Sequence, residues 1–194
     1  MEYTVDMKNT SGFTIVELLL VVVVMGILST IVVVTFTGVQ KRAKDAQLIS
    51  GIDSLEKGLR LYELKNGGFP NPTDVASSGG ITAACVQPTS GGWPAEQGLT
   101  SSDCYFLSSN GARIGYSPVL RDALQTVVSE IPDTSAIVYS APDILSARGI
   151  IYQYWTEDRV ALAYFVPNDQ TCGRAERRFN VGDLTQCVIE LKGI

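Results

Sequence analysis

Residues 11–44 read SGFTIVELLLVVVVMGILSTIVVVTFTGVQKRAK, and the fold turns on how this stretch is taken. From Leu18 to Gln40 it holds no charged residue, a run of 23. At about 1.5 Å of rise per residue, a helix of that run covers about 35 Å, enough to cross the apolar core of a bilayer. The run is too long for the apolar part of a secretory signal peptide, and no Ala-x-Ala cleavage site follows it. A buried helix of a soluble protein is the weaker reading, because a helix apolar on every side needs a large core around it. Valine, isoleucine and threonine fill much of the run and are mediocre helix formers in water. In lipid an unpaired backbone costs far more, so a helix is predicted. One residue sits badly with this. Glu17 puts a carboxylate at the very start of the apolar run, where lipid is expected.

Around this block the composition is ordinary. A chain of 194 residues makes one domain, or one domain with an appendage, and the 45% hydrophobic content is inflated by the N-terminal run. A formal net charge of −5 argues against a general nucleic-acid binder, which needs a basic face, so no specific nucleic acid is expected as partner. There is no histidine. That removes Ser-His and Cys-His nucleophile pairs, histidine general bases and histidine metal ligands together. No Gly-rich phosphate loop, EF-hand or paired catalytic carboxylates stand out. The chain is therefore expected not to be an enzyme, with no catalytic residue, no metal ligand set and no cofactor.

Four cysteines remain, Cys85, Cys104, Cys172 and Cys187, none of them in a Cys-x-x-Cys pair, so a zinc ribbon or redox motif is not indicated. An even count in a membrane-anchored chain points to disulfides in an oxidising compartment. Three pairings are open, and the two local ones, Cys85–Cys104 and Cys172–Cys187, are favoured over the others and over four buried thiols. Each loop closed this way contributes about 3 kcal/mol in the chain-entropy account. Charge gives a contrary signal. Lys41, Arg42 and Lys44 follow the span while Lys8 alone precedes it, and the positive-inside rule would then leave the C-terminal part in the cytoplasm.

GFTIVELLLVVVVMGIL, from Gly12 to Leu28, resembles the N-terminus of a type IV pilin or a type II secretion pseudopilin. The motif is specific because it joins Gly-Phe, a glutamate at fixed spacing and a clean apolar run. The resemblance implies a leader of residues 1–12 removed by a prepilin peptidase after Gly12, with Phe13 as the N-methylated new terminus and Glu17 as the motif glutamate used in assembly. Starting at Met7 instead of Met1 would leave the short leader MKNTSG. It implies further that residues 13–40 form the transmembrane and later filament-core helix. An inner-membrane assembly platform would then build the chain into a helical filament of its own copies. Val34 stands where many members carry a helix-breaking proline.

KRAKDAQLISGIDSLEKGLRLYELKNGGFP, from Lys41 to Pro70, resembles the amphipathic continuation of such a helix over 41–66. Val39, Ala43, Ala46, Ile49, Ile52, Leu55, Leu59 and Tyr62 recur three or four apart, and Asn66-Gly67-Gly68 with Pro70 and Pro72 ends the pattern. One helix from Phe13 to about Asn66 would be roughly 80 Å long. The fold class implied is α+β: a long N-terminal α-helix, its first half membrane-spanning, packed on an antiparallel β-sheet head with disulfide-closed loops over 67–194.

Within that head, residues 71–104 are crowded with Gly, Ser, Thr and Pro and read as a surface loop stapled by Cys85–Cys104. Pro118 to Ile131 reads as a helix with apolar Leu120, Leu124, Val127, Val128 and Ile131 on one side. Ser135–Ser140 reads as a strand, and GIIYQYW and RVALAYFV as a hairpin in which Val160, Leu162, Tyr164 and Val166 share a face. Residues 172–191 read as a disulfide-closed loop returning as a strand. Arg174, Arg177 and Arg178 form a small basic cluster whose default is a solvated loop, with a phosphate or DNA contact the remote alternative. Asp169 and Asp183 lie in loops where calcium is conceivable, because some pseudopilins, which the N-terminus resembles, bind it, but no ligand spacing supports a metal here.

The function expected is structural, a subunit of a type IV pilus-like filament. It is held first as a single-pass membrane protein with its N-terminus cytoplasmic, then in a surface or periplasmic fibre. The alternative within the class is a pseudopilin of a secretion or DNA-uptake system. The alternative outside it is a membrane-tethered exterior binding or enzymatic domain, which needs neither the Gly12-Phe13 junction nor Glu17.

Overall fold

The computed structural model describes residues 14–75, 77–87, 103–107, 111–134, 137–141, 144–168 and 170–194, with the backbone alone at 30–38, 41, 78 and 177–179. By internal packing the chain forms two units, Met1–Ala43 and Lys44–Ile194. The first helix, α1 (Ile15–Asn66), contributes to both and is unbroken through Val34. Among the described residues no helix is long and apolar enough to cross a membrane. The described side chains of the apolar run stop at Ser29 and resume at Val39.

In the second unit α1 buries Leu48, Ile52, Leu55 and Leu59. Ile49, expected in that stripe, is 55% exposed. At 100° per residue, Gly51, Ile52, Leu55, Gly58 and Leu59 define a face that Leu48 joins and Ile49 only borders. The two glycines bring the helix close: a Cβ at Gly58 would lie 3.2 Å from Val128, and one at Gly51 closer still to Thr134. The helix stops where glycine takes the left-handed conformation, Gly67 at φ 80°, its N–H donating to the Glu63 carbonyl at 2.7 Å.

Beyond the helix come β1 (Ser77–Ser78), β2 (Ile81–Cys85), β3 (Asp103–Leu107) and β4 (Ala112–Gly115), then α2 (Pro118–Gln125). These are followed by β5 (Val138–Ala141), β6 (Leu145–Arg148), β7 (Ile151–Thr156), β8 (Arg159–Pro167), β9 (Glu176–Val181) and β10 (Leu184–Lys192). They make two antiparallel sheets, ordered β1-β2-β7-β8-β10-β9 and β4-β3-β6-β5. The hairpin of β7 and β8 is the one read from the sequence. Val160, Leu162, Tyr164 and Val166 do share a face, packed with Leu48, Ile52, Leu55 and Leu59 of α1 and Leu120 and Leu124 of α2. The alternate residues Ala161, Ala163 and Phe165 are buried too, in a second core with Cys104, Leu145 and Ala147. β8 is thus covered on both sides, and its alanines let the second sheet approach.

Three sequence expectations need correction. The segment 71–104 is not all loop, since β1 and β2 pair across Gly79-Gly80, whose positive φ values of 60° and 78° suit a two-residue hairpin turn; residues 88–102 lie outside the described part. α2 ends at Gln125 and does not reach Ile131. The β-branched run Thr126-Val127-Val128 disfavours more helix, and the Thr126 hydroxyl bonds back to the Ala123 carbonyl at 2.7 Å. Ile131 still enters the core from an extended segment. The C-terminal segment is a hairpin, not a loop with one strand: β9 and β10 meet at Gly182-Asp183. The Ser135–Ser140 strand is β5, shifted to Val138–Ala141, and residues 135–136 lie outside the described part.

Candidate functional site

Glu17 stands in the first turn of α1, and its partners are local. Thr14, the residue before the helix, donates to the Glu17 Oε2 from its N–H at 3.2 Å and from its hydroxyl at 3.0 Å. In return the Glu17 N–H donates to Thr14 Oγ1 at 3.3 Å. This is a capping box, in which cap and carboxylate satisfy each other's orphan amides. A negative group here also meets the positive end of the helix dipole. The sequence signal was present as Thr14-Ile15-Val16-Glu17, a Thr-x-x-Glu ahead of an apolar run, and the reading of Glu17 as a lone misplaced charge passed over it. Gly12 and Phe13, the expected cleavage junction, lie outside the described residues.

Above the cap every side of the helix is apolar and open. Ile15 is 86% exposed, and Val16, Leu18 to Val24, Met25, Ile27 and Leu28 are exposed in succession. Consecutive exposed apolar positions cover all faces of a helix, so this segment has no water-facing side. Ser29, the polar break in it, donates its hydroxyl to the Met25 carbonyl at 2.7 Å, so it presents no unbonded hydroxyl hydrogen to apolar surroundings.

In the head both local cysteine pairs are closed. Cys85–Cys104 joins β2 of one sheet to β3 of the other, and Cys172–Cys187 fastens the segment before β9 to the middle of β10. That segment is tied to α1 as well. Arg174 donates to Asp53 at 2.6 Å and to Glu56 at 2.5 Å, Gln170 donates to Asp45 at 3.2 Å, and the Tyr164 hydroxyl donates to the Cys172 carbonyl at 2.8 Å. Tyr139 also donates to Asp45, and burial together with that carboxylate pushes its hydroxyl up to about 12. Under this strap lies a cleft of about 580 Å³ lined by Leu48, Ile49, Ile52, Val166 and Ile189, with Asp45 and Asp53 among its lining.

Of the three arginines of the basic cluster, Arg174 has its side chain among the described residues. Arg174 is engaged by two carboxylates, while Arg177 and Arg178 belong to strand β9 with side chains outside the described residues. Asp183 sits in the β9–β10 turn, its carbonyl accepting from the Asn168 N–H at 2.9 Å; Asp169 lies outside the described residues. Among the described residues no group of three or more Cys, Asp or Glu is placed to hold a metal ion. The entry to α2 carries a further carboxylate that the sequence did not flag. Asp74 accepts from the Ser117 hydroxyl and from the Val119 N–H, while Ser117 Oγ accepts from the Leu120 N–H. Burial raises the Asp74 carboxyl, and these hydrogen bonds outweigh it, leaving it below the ordinary range.

Comparison with known proteins finds similarity in part of the chain. Residues 7–33 match the family described as the prokaryotic N-terminal methylation motif. The type II secretion system core protein G of Pectobacterium carotovorum is 34% identical over 85 residues, 44% of this chain and 54% of that protein. Its counterpart in Vibrio cholerae is 35% identical over 83 residues, 43% of this chain and 53% of that one. The type IV wide pilus major component PilA4 of Thermus thermophilus is 25% identical over 83 residues, 43% of this chain and 63% of that protein. The chain spans about half the length of the core G proteins it matches. No solved structure matches it.

Proposed function

We propose that this chain, whose N-terminal segment is similar to those of type IV pilins and pseudopilins, is a structural subunit of a type IV pilus-like filament and not an enzyme. A prepilin peptidase cuts after Gly12, Phe13 becomes the N-methylated terminus, and residues 13–40 hold the chain in the membrane until an inner-membrane platform adds it to a fibre of its own copies. The observation that carries this reading is the methylation motif of residues 7–33 on a helix that is apolar and exposed all round its first turns. Such a surface suits lipid before assembly and the flanks of other copies afterwards.

The head lies outside the cytoplasm in this reading, with the N-terminus inside. The leader motif and the two closed disulfides support that topology against the pull of Lys41, Arg42 and Lys44. Glu17 receives the amine that cleavage creates at Phe13 of a neighbouring copy, or its own. Opposite charges attract strongly at low dielectric and an unpaired one is penalised, so one axial register is favoured. A second reading, a pseudopilin of a type II secretion system, is favoured by the relatives named core protein G. A secretion operon beside the gene would support it, and a retraction motor the first.

Intact-mass measurement of surface or membrane material should give a chain beginning at N-methyl-Phe13. A retained leader, or a cut elsewhere, would overturn the reading. Glu17→Val should leave insertion and cleavage near normal while fibre yield drops steeply; a full yield would show the charge to be incidental.

A further inference from the structure

We infer that Thr14 is the positioning residue for Glu17, and that the two carboxylate oxygens divide two tasks, one capping the subunit's own helix and one left for a second copy. The inference rests on the filament reading above and specifies how its key residue is held. Both of the bonds that the carboxylate accepts fall on Oε2, from the N–H and the hydroxyl of Thr14. Oε1 takes no donor among the described residues, and the side chain is exposed. The third bond, from the Glu17 N–H to Thr14 Oγ1, closes the box and fixes the hydroxyl's direction. Thr14 is therefore both donor and acceptor to one residue, a job that needs a hydroxyl at this position.

The consequence follows from solvation. A carboxylate entering lipid must find donors or carry a desolvation penalty. Thr14 supplies two donors before assembly, to one oxygen, and turns the side chain back along the helix toward its N-terminal end. The peptide N–H it uses is that of Thr14, the residue after Phe13 in sequence, so the box limits the side-chain rotamers open to the carboxylate. What remains open is one oxygen with one direction. A cationic amine on a second copy then meets a prepaid geometry, and the ordering cost at the moment of docking falls.

Three variants of the full chain separate the two tasks. Thr14→Val removes the hydroxyl and keeps the charge and the β-branch. Thr14→Ser keeps the hydroxyl. Glu17→Gln keeps an acceptor for the box and removes the charge. Two quantities are read: sheared fibre yield from cells with the processing and assembly machinery, and hydrogen exchange of the Glu17 amide in detergent micelles. Thr14→Val should speed that exchange and lower fibre yield, each about fivefold, the factor that a lost N-cap carries. Thr14→Ser should stay within about twofold of the unaltered chain in both, since serine caps as well as threonine. Glu17→Gln should keep near-normal exchange and still lose fibres. Unchanged exchange in Thr14→Val overturns the positioning role whatever the fibres do, as does a serine variant as poor as the valine. If exchange quickens in Thr14→Val but its fibres form normally, the box caps the helix and has no part in docking, and the inference fails. Full fibre yield from Glu17→Gln would instead sink the charge-pairing account of assembly, with the exchange result still deciding on Thr14.

Discussion

Gly51 is a point of close approach between the helix and the head, and replacing it with alanine tests that packing. Alanine is the better helix former by about 1 kcal/mol, so on an open helix face the change would stabilise. Here an added Cβ would sit 2.6 Å from Thr134 Cγ2, well inside the contact distance of about 3.5–4.0 Å between carbons. Thr134 has little freedom to yield. It is 4% exposed, its carbonyl accepts from the Ile137 N–H at 3.0 Å, and its hydroxyl already crowds Gly149, where a Cβ would lie 2.8 Å away. Overpacking of this kind costs about 1–3 kcal/mol, so against the gain of about 1 kcal/mol Gly51→Ala should destabilise the head by up to about 2 kcal/mol net. Thr134→Ser removes the offending methyl and keeps the hydroxyl. The next neighbours of the new Cβ are then Ile150 Cδ1 at 3.5 Å and Pro132 Cβ at 3.7 Å, ordinary contacts, so in that background alanine should be neutral or stabilising. Urea unfolding of the four proteins in mild detergent, followed by tryptophan fluorescence, gives the cycle, with an expected coupling of about 2 kcal/mol. A stabilising Gly51→Ala in the unaltered chain, or the same effect in both backgrounds, would refute the close approach.

Serine at both Cys172 and Cys187, or at both Cys85 and Cys104, should cost the head about 3 kcal/mol in the same unfolding assay, because the closed loops span 15 and 19 residues. Cleavage after Gly12 should be unaffected in either, as read by intact mass. Asp74→Asn should weaken the α2 cap by about 1 kcal/mol at neutral pH. The Asp74 carboxyl is lowered in the folded chain, so its contribution is present above its unfolded value of about 3.9 and is lost as pH falls through the folded one; the two proteins should converge in acid. Tyr139 runs the other way. Its hydroxyl is raised to about 12, so its share of stability is whole below about pH 10 and is lost as pH rises toward 12. Tyr139→Phe should flatten that alkaline loss in an unfolding series from pH 9 to 12.

What the sequence made legible and what it hid differ in the range of the interaction. The helix from Ile15 to Asn66 was readable because its causes are local: an unbroken apolar run, then a three-four spacing, then Asn-Gly-Gly with prolines. The hairpin of β7 and β8 was readable for the same reason, since the larger apolar residues Val160, Leu162, Tyr164 and Val166 recur at period two. The errors begin where a distant residue decides. Ile49 continues the three-four spacing upward from Ile52, but the face buried against the head runs through Ile52, Leu55 and Leu59, which Leu48 joins and Ile49 only borders. Arg174 looks like part of a basic cluster with its neighbours, yet its partners Asp53 and Glu56 lie 121 and 118 residues away in sequence. The burial of Ala161, Ala163 and Phe165 needed a second sheet, whose β3 and β6 carry no pattern strong enough to announce it.

The capping box is a different kind of miss, and it changes what Glu17 means. Its signal was local and in view, but the residue was read by charge alone, as a cost that assembly must relieve. With Thr14 bonded to it, the carboxylate no longer starts from an unpaired state: part of its cost is relieved within the first helical turn of the free subunit. In the proposed filament a neighbour's amine would therefore gain less than the full desolvation penalty on binding, because only the remaining part would still be offset. That smaller gain would be set against the lower ordering cost of a carboxylate already held in place. If the chain is the filament subunit proposed above, a carboxylate held this way would favour one axial register on assembly.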